Sequence, residues 1–441
     1  MSEQTPAGQA PQDDLHDDLK ALTTPGSQSG SGVSLENNDV LLDAAARARR
    51  ASEAAQPGDQ AAGSPINRSP EASTGPALMF ASGSTCLLMA LQLTYSRRAL
   101  RFNFAARTSR GALAEHEAWY LHLHDPAQPG RVGLGEAAPL AGLSPDYGSG
   151  FEPALRELCG RFNAAGYAQP PAAGDIVGAE WPALRFGLET AALDWAAGGR
   201  RLLFDNAFSR GEQGLPINGL VWMGEADFMQ EQIQQKLAEG YRCLKLKIGG
   251  LDFDTECALL AGIRAVAGPG ELVLRVDANG AFTPEQAPAR LARLATFDLH
   301  SIEQPIRPGQ PAALAQLCRT APVPVALDEE LIGVTDPARQ AALLDQVCPA
   351  YVVLKPTLLG GLAAAERWIE LATARGIGWW MTSALESNVG LNAISQFTAR
   401  YPLAGFAQGL GTGQLYHNNV ASPLRVAGGY LHYEAHAGWE L

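Results

Sequence analysis

The chain has 441 residues, 46% hydrophobic and 18% charged, which is enough apolar material for one large or two medium globular domains. A formal net charge of −13 excludes the basic face that nucleic acid or an anionic membrane surface requires. Cys86, Cys159, Cys243, Cys257, Cys318 and Cys348 are scattered without metal-ligand spacing and read as reduced thiols of a cytoplasmic protein.

Residues 1–76 are rich in Ala, Gly, Ser, Pro, Gln and Asp and almost free of aromatics, so they are predicted to stay disordered, with a short helical pattern at 39–55. Residues 77–93 are mildly apolar but interrupted by Ser82, Gly83, Ser84 and Thr85. That stretch is short for a membrane span and too far along the chain for a signal peptide. Met89 stands just before the first strand pattern and is expected to be the translated start, which makes 1–88 a low-complexity extension.

Two strands are predicted at 91–105 and 117–124, joined by the polar turn Arg107-Thr-Ser-Arg-Gly111, and a second turn at Gly133-Leu-Gly-Glu-Ala-Ala-Pro139. His122 and His124, two apart in the second strand, read as surface or cap residues rather than zinc ligands. Helical patterns follow at 152–164 and 183–197. Strands followed by helices make an α+β unit, expected to span 89–210 and to form a separate layer beside the rest.

From Pro216 the pattern changes to short apolar runs alternating with helices. Strand cores are predicted at 217–222, 243–248, 272–277, 301–303, 323–328, 351–355, 378–383 and 405–409, with seven helical patterns between them. Right-handed crossovers of this length make successive strands neighbours, so the expectation is a closed parallel α/β barrel over 211–415, with 416–441 returning to the first domain. An open doubly wound sheet would want a glycine-rich phosphate loop after an early strand, and none with that spacing follows one here.

The barrel strands end in charge. The second finishes Lys245-Leu-Lys247, the third Arg275-Val-Asp277-Ala-Asn279, the fourth Ile302-Glu303-Gln304-Pro305, the fifth Leu327-Asp328-Glu329-Glu330 and the sixth Leu354-Lys355-Pro356. Period-two alternation puts Lys245 and Lys247 on one face and Leu244, Leu246 and Ile248 on the other. Lys247, Asp277, Glu303, Asp328 and Lys355 are one strand-plus-helix unit apart, so all five should rise to one rim. Two inward ammonium groups would be costly unless carboxylates converge on them.

Three carboxylates on adjacent strands form a hard-oxygen ligand set suited to Mg²⁺, with Mn²⁺ as a substitute. Glu329 and Glu330 read instead as helix caps or surface ion pairs. A lysine whose pKa is lowered by burial and a neighbouring cation is a competent base, and Lys245 supplies that cation to Lys247. The reaction class that follows is proton abstraction next to a carboxylate on a small-molecule substrate.

Over about 91–441 these motifs together resemble the enolase superfamily, in its muconate-lactonizing-enzyme-like branch. The resemblance implies a (β/α)7β TIM-like barrel under an α+β capping domain. It also implies that Asp277, Glu303 and Asp328 bind Mg²⁺ and that Lys247 and Lys355 face each other across the substrate. Within the branch, Met381-Thr-Ser-Ala-Leu-Glu386-Ser-Asn-Val-Gly390 looks like the Ser-x-x-Glu-Ser-x-x-Gly run of the o-succinylbenzoate synthases. Those enzymes dehydrate a succinyl-substituted hydroxycyclohexadiene carboxylate in menaquinone biosynthesis. The Asp-x-Asp pair with which dipeptide epimerases hold an ammonium group is absent near this point, at the end of the seventh strand.

On this likeness Lys245, Asn279, Arg110, Ser383 and Glu386 are expected near the substrate, Arg110 through its planar fork on the succinyl carboxylate. Trp222 is expected to be core packing. An N-succinylamino-acid racemase using both lysines as a two-base pair, or a dipeptide epimerase of the same superfamily, is the alternative. A barrel kept as a scaffold is disfavoured because every ladder residue is present. The start at Met89 predicts an intact mass without the first 88 residues, and a native protein that retains them contradicts it.

Overall fold

Alternation along two long strands sets the first layer. The computed structural model describes residues 90–108 and 111–440; the low-complexity extension, the helical pattern at 39–55, Met89 and Arg110 lie outside the described residues. β1 (Gln92–Thr108) pairs antiparallel with β2 (Gly111–His124), in register from Gln92 opposite His124 to Thr108 opposite Gly111, with an irregularity between Arg101 and Ala106. Trp119, Leu121 and Leu123 point to one face of β2 and bury against Phe151, Leu155, Leu158 and Phe162 of α1 (Phe151–Ala165). Ala118 and Tyr120 point to the other, with Leu100 and Phe102, and pack on Trp222, Leu385 and Val389 of the barrel. His122 and His124 lie on this sheet with their Nε2 atoms 2.9 and 3.0 Å from Ser96 Oγ and Thr94 Oγ1.

The segment at Gly133 to Pro139 is not a turn. Val132–Ala137 forms β3, paired antiparallel with β2. Two glycines in a short run read as a break on propensity alone, but here they serve close approach. A Cβ at Gly135 would overlap the Gly187 carbonyl oxygen, and one at Gly133 the Ala191 carbonyl oxygen, because α3 (Pro182–Ala196) lies directly on this face, past the short α2 (Ala173–Ile176). Leu134 and Glu136 alternate to the opposite face, toward the barrel.

The barrel sheet is parallel, with neighbours in the order β11-β10-β9-β8-β7-β6-β5. Its strands are β5 (Gly219–Val221), β6 (Cys243–Lys247), β7 (Val273–Asp277), β8 (Ser301–Glu303), β9 (Val325–Leu327), β10 (Tyr351–Leu354) and β11 (Gly378–Met381). Between them run α4 (Ala226–Ala238), α5 (Phe253–Val266), α6 (Ala287–Leu294), α7 (Pro311–Thr320), α8 (Pro337–Val347), α9 (Pro356–Leu359) and α10 (Leu362–Thr373); α11 (Asn388–Thr398) follows β11. Leu244, Leu246, Leu274, Val276, Ile302, Leu327, Val352 and Leu354 point outward into a core shared with helix residues such as Leu260, Leu291, Leu314, Leu344 and Trp368.

Two expected strands differ in detail. The first divides, because Leu215–Pro216 (β4) pairs with β13 (Tyr430–Tyr433), itself paired to β12 (Leu424–Ala427). The eighth, near 405–409, is not a continuous strand; it meets its neighbours through isolated bridges, Ile217 with Gln408 and Thr382 with Gly409. The chain then runs back to β1, where Asn103 N–H donates to Leu415 O at 2.8 Å and His417 N–H to Arg101 O at 3.1 Å.

At the N-terminal end of the strands the barrel interior is filled by Ala326, Tyr351, Val353 and Trp380. The buried guanidinium of Arg275 lies 4.4 Å from the Trp380 ring centroid and 4.6 Å from that of Phe406. That end is plugged, which leaves the C-terminal mouth for chemistry.

Gly135→Ala is expected to destabilise the chain by about 1–3 kcal/mol through overpacking against α3. Urea unfolding checks it, and a loss within experimental error contradicts the packing account.

Candidate active site

Register brings the charged ladder to one height. In the parallel pairing Lys247 stands opposite Asp277, and Asp277 opposite Glu303. Asp328 is the residue after β9 and Lys355 the residue after β10. Asp277, Glu303, Asp328, Lys245 and Lys355 are buried, and Lys247 nearly so.

The ammonium groups lie among the carboxylates. Lys247 Nζ donates to Asp277 Oδ2 at 2.6 Å and to Asn279 Oδ1 at 2.9 Å. Lys245 Nζ is 2.9 Å from the same Asp277 oxygen and 2.5 Å from Glu303 Oε2, and Lys355 Nζ is paired with Asp328 Oδ2. Burial acts to lower Lys245, but Asp277 and Glu303 outweigh it and hold its pKa up. Burial lowers Lys247, and Lys245 beside it adds to the effect against the pull of Asp277. Asp277 is held well below the usual carboxylate range, since Lys245 and Lys247 overcome its burial. Glu303 is pushed up to about 8, first by burial and then by the charge of Asp277. Lys355 is raised: burial opposes this, and Asp328 and Glu329 prevail.

The turns after the acidic strands are held in the left-handed region, Asn279 at φ 44° and Gln304 at φ 39°. Asn accepts that conformation readily; for Gln304 it reflects a bonded side chain. Its Oε1 accepts from the backbone N–H of Asp328 at 3.1 Å and of Glu330 at 3.2 Å, and its Nε2 donates to Ile306 O at 3.0 Å. Gln304 thus ties the end of β8 to the loop that carries Asp328, a role that sequence reading missed. The available signal was a polar side chain directly after a buried strand-end acid. Glu329 and Glu330 are not exposed caps or surface pairs. Glu329 Oε1 accepts from Asn279 Nδ2 at 3.0 Å, and Glu330 Oε2 accepts from Gly309 N–H at 3.0 Å, both in buried surroundings.

Above the ladder is a cavity of about 370 Å³. Lys245, Lys247 and Lys355 form its charged floor, Asn218, Ser383 and Thr412 a polar side, and Phe104, Trp222 and Leu385 an apolar one. Trp222 is therefore more than core packing; it meets Phe104 edge-on at 5.7 Å and faces the cavity. Ser383 Oγ is 2.6 Å from Thr412 Oγ1. Asn279 spends its amide on Lys247 and Glu329 rather than on the cavity wall. Glu386 does not reach the cavity: it is fully buried behind the wall, accepting from Thr357 Oγ1 and, at 2.8 Å, from Ala384 N–H.

The donor set fits a divalent cation. Glu303 Oε1 is buried with no hydrogen-bond partner, and the carboxylates are close enough for Asp277 and Asp328 to raise Glu303. Among the described residues no three carboxylate, imidazole or thiol groups stand as a ready metal cage, because lysines hold the carboxylate oxygens. Ammonium and metal are alternatives at the same oxygens, and hard oxygen donors favour Mg²⁺ or Mn²⁺ over softer ions.

Residues 228–439 match the family model described as enolase C-terminal domain-like. The chain is 50% identical over 367 residues to an o-succinylbenzoate synthase of Desulfotalea psychrophila, covering 77% of this chain and 98% of that protein. It belongs to the enolase superfamily, in the o-succinylbenzoate synthase family. The crystal structure of MenC from Desulfotalea psychrophila superimposes with a TM-score of 0.68 at 46% identity, covering 78% of this chain and 99% of that one. An N-succinylamino acid racemase of an Amycolatopsis species is 29% identical, over 74% of this chain and 87% of that protein. The fold is the barrel-and-cap architecture of that superfamily, with the parallel strands and their C-terminal mouth as described.

Gln304→Ala would leave the buried N–H groups of Asp328 and Glu330 unsatisfied, at about 1–3 kcal/mol each. Urea unfolding should register a loss of that order, and an unchanged midpoint would sink the role assigned to Gln304.

Proposed function

We propose that the chain dehydrates 2-succinyl-6-hydroxy-2,4-cyclohexadiene-1-carboxylate to 2-succinylbenzoate, an o-succinylbenzoate synthase activity serving menaquinone biosynthesis. The observation that carries the reading is the pair of lysines, Lys247 on β6 and Lys355 after β10, flanking three carboxylates on the strands between them beneath one cavity. The 50% identical relative gives the substrate class.

Asp277, Glu303 and Asp328 would hold Mg²⁺, or Mn²⁺ in its place, which when bound supplies Lewis-acid stabilisation of charge developing on the substrate carboxylate. Lys247 in its neutral form takes the proton from the carbon next to that carboxylate. The new ammonium then returns this proton to the departing hydroxyl on the same face, so the C–O bond breaks, water leaves and the ring becomes aromatic. Lys355 stays charged throughout, favoured by Glu329, which remains beside it when the metal takes Asp328, and stabilises the negative charge from the opposite side. Asn279 orients Lys247 by accepting one of its N–H groups. The apolar wall of Phe104, Trp222 and Leu385 suits the ring, and the polar side at Ser383 and Thr412 suits the oxygen-bearing succinyl chain.

A second reading uses the same two lysines. Amines on opposite sides of one site can remove and return an α-proton on opposite faces, which is racemisation of an N-succinylamino acid. Deuterium exchange into that substrate would reveal it.

The main test is turnover of the cyclohexadiene acid by the full chain with Mg²⁺ and with EDTA, followed by loss of diene absorbance. Activity is expected only with the metal. Lys247→Ala and Lys355→Ala should each lower kcat by about 10²–10⁴-fold, the usual contribution of a positioned acid or base, with unchanged circular dichroism. Turnover near the wild-type rate in either variant contradicts the assignment.

A further inference from the structure

The penultimate residue of β3 in the cap is a carboxylate that reaches across to the barrel. Glu136 is fully buried; its Oε1 accepts from the backbone N–H of Ser387 at 2.7 Å, and its Oε2 from Ser387 Oγ at 2.6 Å and Gly390 N–H at 2.7 Å. These donors sit at the start of α11, so a side chain 251 residues earlier in the chain takes the N–H groups of Ser387 and Gly390, while Asn388 N–H goes to Asn419 Oδ1 and Val389 N–H to Ser387 Oγ. Gly390 makes room for it: a Cβ there would lie 2.7 Å from Glu386 Cβ and 3.1 Å from Glu136 Oε2.

The contact continues toward the active site. Glu386, next to Ser387, accepts from Ala384 N–H, which adjoins Ser383 in the cavity wall. Its other oxygen accepts from Thr357 Oγ1, in the first turn of α9 and two residues beyond Lys355. Burial pushes Glu136 up to about 7 against the donors of Ser387 and Gly390, and burial raises Glu386 as well. Two nearby buried carboxylates are tolerated only while their donors stay in place, so the arrangement resists sliding in a way that apolar packing does not.

We propose that Glu136 is a positioning residue for the reaction: by docking the cap on the loop after β11, it sets Ser383 and, through Glu386 and Thr357, the backbone that carries Lys355. The inference rests on the reading of Lys355 as the catalytic cation. It assigns a task to two motifs of the sequence, Gly133-x-Gly-Glu136 and Glu386-Ser-x-x-Gly390. In the first, the glycines seat β3 on α3 and the acid crosses to the barrel. In the second, one acid faces Lys355's loop, and the serine and glycine receive the cap.

The test uses the full chain with Glu136→Gln, which keeps the volume but turns an amide NH₂ toward N–H and O–H donors. A displacement of about 1 Å at a catalytic group costs on the order of 10²-fold. The expected result is a loss of kcat between about tenfold and a hundredfold with KM within about threefold, since placement is lost rather than uniform binding. Ser387→Ala, which removes one of the three bonds to Glu136 together with the Ser387 Oγ cap on Val389 N–H but alters no buried charge, should lose less in the same sense. It keeps the proposal open to refutation if Glu136→Gln does not fold. In the Glu136→Gln/Thr357→Val double variant the two losses should be less than multiplicative, because both break one path. Independent losses, or kcat unchanged in Glu136→Gln, overturn the proposal.

Amide hydrogen exchange supplies a readout that needs no turnover. Glu136→Gln should speed exchange in both 383–390 and 355–360. Faster exchange confined to 383–390 overturns the link to Lys355. If the wild-type chain leaves the cyclohexadiene acid untouched, the proposed function falls, and the exchange data still decide the coupling.

Discussion

Mutual neutralisation of buried charge at the C-terminal mouth governs the rest of the structure. Lys245, Lys247 and Lys355 are sequestered from water together with Asp277, Glu303 and Asp328, and each ammonium meets a carboxylate oxygen. Isolated, any of these groups would be expensive to bury. Together they offset one another only if five strand ends reach the same height, so the parallel register that sets Lys247 beside Asp277 and Asp277 beside Glu303 is itself under electrostatic constraint. The left-handed turns at Asn279 and Gln304 follow, since each spends its side chain on holding neighbouring strand ends in place.

The same balance explains how one set of oxygens would serve either a lysine or a divalent cation. Carboxylates that accept from lysines are the ones a divalent cation would take, and the displaced ammonium then loses the partner that kept it charged. Lys247 has most to lose in this exchange: burial, Lys245 and Lys355 lower its pKa against the pull of Asp277 and Glu303. Lys355 differs, because Asp328 and Glu329 both favour its charge. Two residues of one type thereby acquire different tendencies from their surroundings alone.

The cap contributes walls and alignment. One face of β1 and β2 packs on the cap helices and the other closes over the barrel, with Phe104 meeting Trp222 at the cavity edge. Beneath that apolar seam, Glu136 makes the directional contact with α11. An apolar interface of this kind sets proximity; hydrogen bonds to a buried carboxylate set position.

Much of this was legible in the chain before any coordinates. A strand-plus-helix spacing of 25–30 residues with a charge at the end of each middle strand identifies both a parallel barrel and a rim of converging charge, because side-chain alternation and crossover handedness are local rules. The residues that escaped are those whose neighbours are distant in sequence. Gly133 and Gly135 read as a turn because a helix lying on a strand leaves no local trace. Glu329 and Glu330 read as surface acids, although a 3-10 turn folds them inward onto Asn279 and Gly309. Glu386 was assigned to the pocket, yet Thr357 claims it from behind. Periodicity and residue type, acting over a few residues, determined the architecture and the chemistry of the rim. Tertiary packing alone decided which acid meets which amine, which polar groups brace the loops and how the cap is seated, since those partners are chosen by geometry across the fold.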